Sequence, residues 1–208
     1  MYRALGAGAS AGMSMLNLED ERKITEALRG AVLSRNGDRL KEEAYNLDSQ
    51  LIKAGYFSPI LFKGLTEIIS LHEFLIMEGS FVLLKVFQDS FDYLSEDQKV
   101  ELLSVLEAHY EALADTTSGF LVSEIVGESY CDERALQTLR RLTETKADVP
   151  RSLVPHGLEY FTRKCGDREL ARLAFDALLQ MKSDPSEDVR DEVITSLKQL
   201  ARHGWLPN

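Results

Sequence analysis

The sequence contains few of the residues that build disulfide frameworks, zinc sites or membrane spans. Its two cysteines, Cys131 and Cys165, form neither a CxxC pair nor a cluster with histidine. Because isolated thiols make no metal site and no disulfide framework, we expect a reducing, cytoplasmic compartment. No stretch approaches the roughly 20 consecutive apolar residues of a membrane span. We therefore expect no structural metal and no membrane partner.

Catalytic signatures are also absent from the sequence. It has four histidines, and no two of them have the i, i+4 spacing that places a pair of metal ligands on one face of a helix. No HExxH motif, nucleophile elbow, P-loop or kinase signature occurs. We predict no catalytic residue, no metal ligand and no cofactor, and we expect that the protein is not an enzyme.

Positive charge is scarce in the middle of the chain. The whole sequence has 24 Lys and Arg against 34 Asp and Glu, a formal net charge of -10. Between residues 64 and 130, Lys85 and Lys99 are the only basic residues beside 13 acidic ones. Such an anionic block repels nucleic acids and anionic membrane surfaces, and it attracts a basic protein over a long range. The charge therefore predicts a basic protein partner and argues against nucleic-acid binding.

Apolar residues recur at the three- and four-residue spacing of amphipathic helices along most of the chain. Gly55 is placed to close one helix, and Ser58, followed by proline, is placed to open the next. Ser95 and Gln98 form the capping box of a later helix, which we expect to bury Val100. No segment has the turn-bounded alternation of a strand. The pattern predicts an all-α protein with about nine helices.

The last third of the chain contains two copies of a two-helix unit. Apolar residues of the first copy recur 39 or 40 positions later in the second copy. The first copy has Ala135, Leu139, Leu142, Val149, Leu153, Val154, Leu158 and Phe161, and the second has Ala174, Leu178, Met181, Val189, Val193, Ile194, Leu197 and Leu200. A helix, a turn and a second helix repeated with this period are typical of a helical solenoid.

The turn of the second copy carries a family resemblance. The segment from Asp184 to Arg190, DPSEDVR, resembles the HEAT repeat, in which an Asp-Pro turn leads into an Asp-Val-Arg at the head of the inner helix. The resemblance implies a right-handed stack of antiparallel helix pairs, which is a HEAT-like α-solenoid. Only the second copy keeps the Asp-Val-Arg, and we expect Pro155 to interrupt the inner helix of the first copy.

The domain organisation follows from these features. We predict a single helical-repeat domain over 18–208, with divergent acidic hairpins over 18–130 and two HEAT-like helix pairs over 131–208. Residues 60–77 are expected to form one helix within the acidic part. Residues 1–17 are predicted to be a flexible leader, because they are rich in small residues and lack the Leu-rich core of a signal peptide.

Two sets of residues are candidate partner-binding positions. The first is the acidic surplus of the middle helices, which comprises Asp92, Glu96, Asp97, Glu101, Glu107, Glu111, Glu124 and Glu128. The second follows from the resemblance, because the inner helices of HEAT-like proteins line a concave groove that holds partners. The matching positions are Arg151, His156, Glu159, Tyr160 and Arg163. Tyrosine and arginine are frequent anchors of protein interfaces.

Three functions remain open at this point. A small acidic helical protein without catalytic groups is similar to bacterial immunity proteins, which bind and block a basic cognate toxin or enzyme. We favour such an inhibitor or antitoxin, because electrostatic steering gives the fast capture that it needs. The alternative is a HEAT-like scaffold or regulatory subunit that works through the groove. An enzyme with carboxylate chemistry in the middle helices ranks last.

Overall fold

The computed structural model describes residues 17–205, and these residues form an all-helical structure. Eleven α-helices and no strands occur in this part of the chain. The helices are α1 (Leu18–Leu33), α2 (Gly37–Ala54), α3 (Pro59–Ile69), α4 (His72–Leu75), α5 (Phe81–Asp89), α6 (Glu96–His109), α7 (Thr116–Glu124), α8 (Glu133–Leu142), α9 (Asp148–Lys164), α10 (Arg168–Gln180) and α11 (Glu187–Arg202). The all-α prediction is confirmed. The predicted number of about nine helices is too low, and the predicted leader lies outside the described residues apart from Asn17, which caps α1.

The predicted helix over 60–77 is split in two, which is one source of the higher number. The Ser70 hydroxyl donates a 2.8 Å hydrogen bond back to the Thr66 carbonyl. Leu71 then adopts an extended conformation with ψ 140° before α4 begins. The extended backbone at Leu71 separates α3, which ends at Ile69, from α4.

Local capping signals act as the sequence predicts. Gly55 takes the left-handed conformation at the end of α2, with φ 59° and ψ 26°. The Ser58 hydroxyl accepts a 3.1 Å hydrogen bond from the Leu61 amide at the start of α3. The Ser95 amide donates to Gln98 Oε1 at 2.8 Å, and the Gln98 amide donates back to Ser95 Oγ at 3.3 Å. Each bond satisfies a backbone group that a helix end leaves without a partner.

The prediction that α6 buries Val100 is wrong, because this side chain is 43 % exposed. The reason lies in the capping box. Gln98 is buried, and its side-chain amide donates a 3.1 Å hydrogen bond to the Phe57 carbonyl. The inward face of α6 is therefore the one that carries Gln98, Leu102 and Leu106, and Val100 lies on the opposite side.

The helices contact one another in two rows. Packing contacts connect α1, α3, α6, α8 and α10 in that order, and a second series connects α2, α5, α7, α9 and α11. We call these the outer row and the inner row. One cluster of buried apolar side chains extends from Leu28 to Leu200. None of the helices between residues 17 and 205 has both the length and the apolar composition that a bilayer crossing requires.

Helix α9 contacts more neighbours than an edge helix would, since it packs on α7, α8, α10 and α11. It continues without a break from Asp148 to Lys164, with Pro155 inside it, so the predicted interruption is wrong. A proline inside a helix costs about 3 kcal/mol, because it removes a hydrogen bond and crowds the preceding turn. The packing of α9 on both of its sides offsets this cost.

The two terminal helix pairs have the same arginine-to-backbone contact at an offset of 39 residues. Arg151 Nη1 donates to the carbonyl oxygens of Thr145 and Lys146 at 2.7 and 2.9 Å. Arg190 lies 39 positions after Arg151. Its Nη1 atom donates in the same way to the carbonyl oxygens of Asp184 and Pro185, at 2.7 and 2.9 Å. The first copy therefore keeps the arginine of the turn although it lacks the Asp-Val-Arg. At this offset buried Pro150 corresponds to buried Val189, and Val149 is exposed.

Candidate functional site

The eight acidic candidates lie in three separate places. The first place is the start of α6, which is surrounded by Asp92, Glu96, Asp97 and Glu101. Glu107 and Glu111 lie at the other end of the same helix. Glu124 and Glu128 lie on the inner row, on α7 and on the π-helical turn Ile125–Tyr130 that follows it. The acidic block of the sequence is therefore not one continuous surface.

Glu107 connects two helices of the outer row, and Glu111 connects the outer row to the start of α9. Glu107 accepts hydrogen bonds from the Arg141 guanidinium, at 2.8 Å for Nη2, and from the Thr138 hydroxyl at 2.9 Å. The Arg141 hydrogen bond is the main reason why the pKa of Glu107 lies below its usual value. Glu111 accepts a 3.3 Å hydrogen bond from the Ala147 amide, which is the capping position of α9. Both carboxylates have structural partners within the chain.

The acidic residues around the start of α6 have more freedom. Glu96 forms ion pairs with Lys99 at 3.0 Å and with Arg134 at 3.7 Å. Asp92, Asp97 and Glu101 are exposed, and within residues 17–205 none of them forms an ion pair. Their negative charge is available to an external cation.

The candidates on the inner row lie together beside a surface depression, and we call this cluster the inner-face groove. It consists of Phe120, Glu124, Glu128, His156, Tyr160 and Arg163, contributed by α7, the π-helical turn and α9. A depression of about 550 Å³ between α5 and α7 adjoins it, and Phe120, Glu124 and Glu128 line both. The groove thus joins residues from the two predicted sets.

Aromatic rings form the centre of the inner-face groove. The ring of Phe120, which is 39 % exposed, stacks on the imidazole of His156 with 4.0 Å between centroids. The Tyr160 ring meets the same imidazole edge-on at 4.6 Å. The Arg163 guanidinium lies over the Tyr160 ring, 4.6 Å from its centroid. Rings and guanidinium present flat surfaces that are held in place before any partner binds.

Burial in this stack lowers the pKa of His156 to about 4, and the positive charge of Arg163 adds to the effect. The imidazole is therefore neutral at pH 7. Its Nε2 atom is buried and has no hydrogen-bond partner among the described residues. Burial, followed by the charges of Glu124 and Glu128, raises the pKa of Tyr160, so its hydroxyl stays protonated and can donate a hydrogen bond.

Charges along the groove are partly neutralised. Lys164 forms a 2.8 Å ion pair with Glu128, and Arg163 Nε donates a 2.9 Å hydrogen bond to the Glu159 carboxylate. Glu124 forms no ion pair within the part of the chain that the structure describes. The groove can therefore offer a partner one unpaired carboxylate, one phenol and one guanidinium plane.

Two of the five residues that the resemblance indicates are buried and do not form part of the groove surface. Arg151 is 8 % exposed, and its guanidinium is bonded to Asp148, Asp184 and two backbone carbonyls. Glu159 is 2 % exposed and lies beneath Arg163. Of the five residues, His156, Tyr160 and Arg163 are half-buried and reach the surface.

The sequence does not predict that Phe120 and the π-helical turn form part of the site. Phe120 stands in an apolar stretch and has the pattern of a core residue, but its ring covers His156 at the surface. The π-helical turn has no motif, although such turns occur often at functional sites. A π turn shifts the helix register, and it is followed by Cys131 in a left-handed conformation with φ 46°.

No group of three or more His, Cys, Asp or Glu side chains within residues 17–205 is arranged to hold a metal ion. The groove presents aromatic rings, hydrogen-bonding groups and charged groups at its surface. Comparison of the chain with protein-family models, with curated proteins and with solved structures gave no match.

Proposed function

We propose that the protein is a protein-binding module built as a right-handed HEAT-like α-solenoid. The two rows of contacting helices support this architecture, since helix pairs stacked side by side produce such rows. The arginine contact that recurs after 39 residues supports the repeat. We place the module in the cytoplasm, because Cys131 and Cys165 are free thiols.

The observation that carries the proposal is the ring and guanidinium stack of the inner-face groove. Tyr160 and Arg163 belong to the residue types that most often dominate binding energy, and here they are stacked on one another beside exposed Phe120. Aromatic and arginine side chains that lie together at a surface are the types that most often anchor a protein partner. The groove is therefore the surface on which we expect the partner to lie.

The partner that we propose is a basic protein, and the specific role is that of an inhibitor or immunity protein that blocks a cognate toxin or enzyme. The net charge of -10 and the unpaired acids Asp92, Asp97, Glu101 and Glu124 support this. A field of one sign speeds the encounter with a basic protein, and its effect falls as salt rises. Removal of positive charge from the partner would slow association accordingly.

A scaffold or regulatory subunit is the second candidate. The partial neutralisation of the groove favours it, because Lys164, Arg163 and Lys85 lie near the acids there. Binding to such a mixed-charge groove would depend little on salt. This distinguishes the scaffold from an inhibitor that relies on acidic steering.

Affinity capture from the native host tests the proposal. The intact protein is used as bait at low and at moderate salt, and bound proteins are identified by mass spectrometry. Recovery of one basic protein that moderate salt releases supports the inhibitor. Recovery of several proteins that salt does not release supports the scaffold, and bait that retains no protein at either salt concentration contradicts both.

A further inference from the structure

A second cavity lies at the edge of the molecule, away from the inner-face groove. Its volume is about 580 Å³, and it lies between the loop that joins α2 to α3 and the turn that precedes α6. Tyr56 and Tyr93 contribute rings to its wall, and Lys63, Asp97 and Glu101 contribute charged groups. The cavity therefore combines aromatic surface with acid.

The floor of this cavity is apolar and firmly held. The Phe57 ring stacks on Phe87 at 5.7 Å with 5° between the ring planes, and Phe62 meets both rings edge-on at 6.0 Å. The Gln98 side chain bonds to the Phe57 carbonyl and so connects the floor to the first turn of α6. The same turn carries Asp97, so its backbone is held in place beside the opening.

The rim of the cavity has an excess of negative charge. Asp97 and Glu101 are one helical turn apart on α6, both are exposed, and neither forms an ion pair with any residue from 17 to 205. Within the described part of the chain, Lys63 is the one basic residue that lines the cavity. The nearby Lys99 forms an ion pair with Glu96 at 3.0 Å. Tyr56, at 43 % exposure, and half-buried Tyr93 leave parts of their rings accessible.

We propose that this cavity takes an arginine side chain of a basic polypeptide. The aliphatic stem of arginine suits the apolar floor, and its planar guanidinium can stack on a tyrosine ring while it donates to a carboxylate. Lysine lacks the plane and binds more water, so it fits this combination less well. The volume exceeds that of one side chain, so the flanking residues of a short segment enter as well.

This site is a surface separate from the inner-face groove, and its test needs neither the groove nor the natural partner. The probe is a capped Gly-Gly-Arg-Arg-Gly-Gly peptide, titrated into the full chain and followed by NMR through the signals of Tyr56 and Tyr93. A peptide with citrulline in place of both arginines keeps the shape and removes the charge. A lysine peptide keeps the charge and removes the plane.

We expect saturable shifts of both tyrosines with the arginine peptide, weaker binding of the lysine peptide, and no binding of the citrulline peptide. The double variant Asp97→Asn/Glu101→Gln should bind the arginine peptide at least about tenfold more weakly, because both carboxylates are lost. Glu26→Gln/Glu42→Gln is the matched control, since it removes the same charge from exposed residues of α1 and α2. It should lose little affinity.

Tyr56→Leu provides an independent variant at an exposed loop position, and it should also weaken binding. Equal affinity for the arginine and citrulline peptides would overturn the proposal. So would equal losses in the two double variants, which would show an effect of net charge alone. Failure of the groove variants to affect the natural partner would leave the peptide result unchanged, so the two proposals fail separately.

Discussion

Arg151 connects two helix pairs through a single side chain. Its Nε and Nη2 atoms donate to the Asp184 carboxylate at 2.9 and 3.1 Å, while Nη1 bonds to the turn of its own pair. Burial disfavours the charged form of Asp184, but hydrogen bonds from Arg151 and from the Ser186 amide outweigh this and hold its pKa below the usual value. The pair joins the helix pair that contains α9 to the turn before α11.

We predict that Arg151→Met destabilises the protein by about 3 kcal/mol, because it leaves the Asp184 carboxylate buried without its partner. Arg190→Met is the matched control, since Arg190 bonds only to the turn of its own pair and should cost about 1 kcal/mol. Urea unfolding at pH 7 measures both values. The difference between the variants should narrow as the pH falls toward the pKa of Asp184, since a protonated carboxyl needs no cation. Equal losses at pH 7 would contradict the account.

His156 makes the stability of the fold depend on pH. The unfolded imidazole takes up a proton near its ordinary pKa of 6.5, whereas in the folded chain burial delays protonation to about 4. The unfolded state therefore binds more protons between these values, so stability is fully present above pH 6.5 and falls as the pH drops toward 4.

The variant His156→Phe should remove this part of the pH dependence and keep an aromatic ring against Phe120. Between pH 7 and pH 5, His156 should lower the free energy of unfolding of the wild type by about 2 kcal/mol. The variant should not show this contribution. Urea unfolding at both pH values measures the difference. The same slope in both proteins would show that the imidazole does not titrate in this range.

Helix α9 approaches the π-helical turn without side chains between the backbones. A Cβ atom at Gly157 would lie 2.7 Å from the Ser123 carbonyl oxygen, and one at Gly127 would lie 2.1 Å from the Gly157 carbonyl oxygen. Neither backbone can move without separating α9 from α7 and the π-helical turn within the inner row. This close approach also holds the rings of the inner-face groove together, because Phe120 and His156 come from the two helices.

We predict that Gly157→Ala destabilises the protein by about 2 kcal/mol, although alanine favours a helix by about 1 kcal/mol over glycine. Gly30→Ala is the matched control, because Gly30 lies inside α1 with nothing within 4 Å of the added Cβ. It should stabilise the protein by about 0.5 kcal/mol or more. Thermal unfolding of the two variants should show shifts of opposite sign. A higher melting temperature in both variants would mean that α9 can move away from α7 and the π-helical turn at little cost.

Helix ends could be predicted from the sequence wherever a few neighbouring residues decide them. The capping box of α6 and the left-handed Gly55 are examples, because each depends on bonds within one turn. The break after Ile69 and the continuity of α9 through Pro155 could not be predicted. The first is an extended Leu71 within a stretch rich in apolar residues, and the second depends on packing from distant segments.

The candidate site could be predicted only in part, for a related reason. The resemblance to a repeat places Tyr160 and Arg163 on an inner helix and so predicts that they belong to the site. Their neighbour Phe120 was not predicted, because its contact with α9 depends on how two helices rotate against each other. The same rotation decides which acids form ion pairs, so the sequence could not separate Glu107, which is bonded to Arg141, from Glu101, which is not.

At the level of the whole molecule, charge and shape have different roles. In the function that we propose, the acids around the start of α6 and Glu124 provide a field that attracts a basic partner, and the groove provides the contacts that hold it. A partner that covers the ring stack loses affinity mainly through faster dissociation when that stack is damaged. We therefore expect the groove, and Tyr160 in particular, to contribute most of the binding energy.

The affinity of the captured partner for the wild type and for Tyr160→Ala tests this claim most directly. Leu179→Ala, which truncates an exposed side chain on α10 of the outer row, is the control, and thermal unfolding confirms that each variant is folded. We predict a Kd about thirtyfold higher for Tyr160→Ala, equivalent to about 2 kcal/mol, and an unchanged Kd for Leu179→Ala. Binding of folded Tyr160→Ala with the wild-type Kd would contradict the account, because the partner would then lie elsewhere on the molecule.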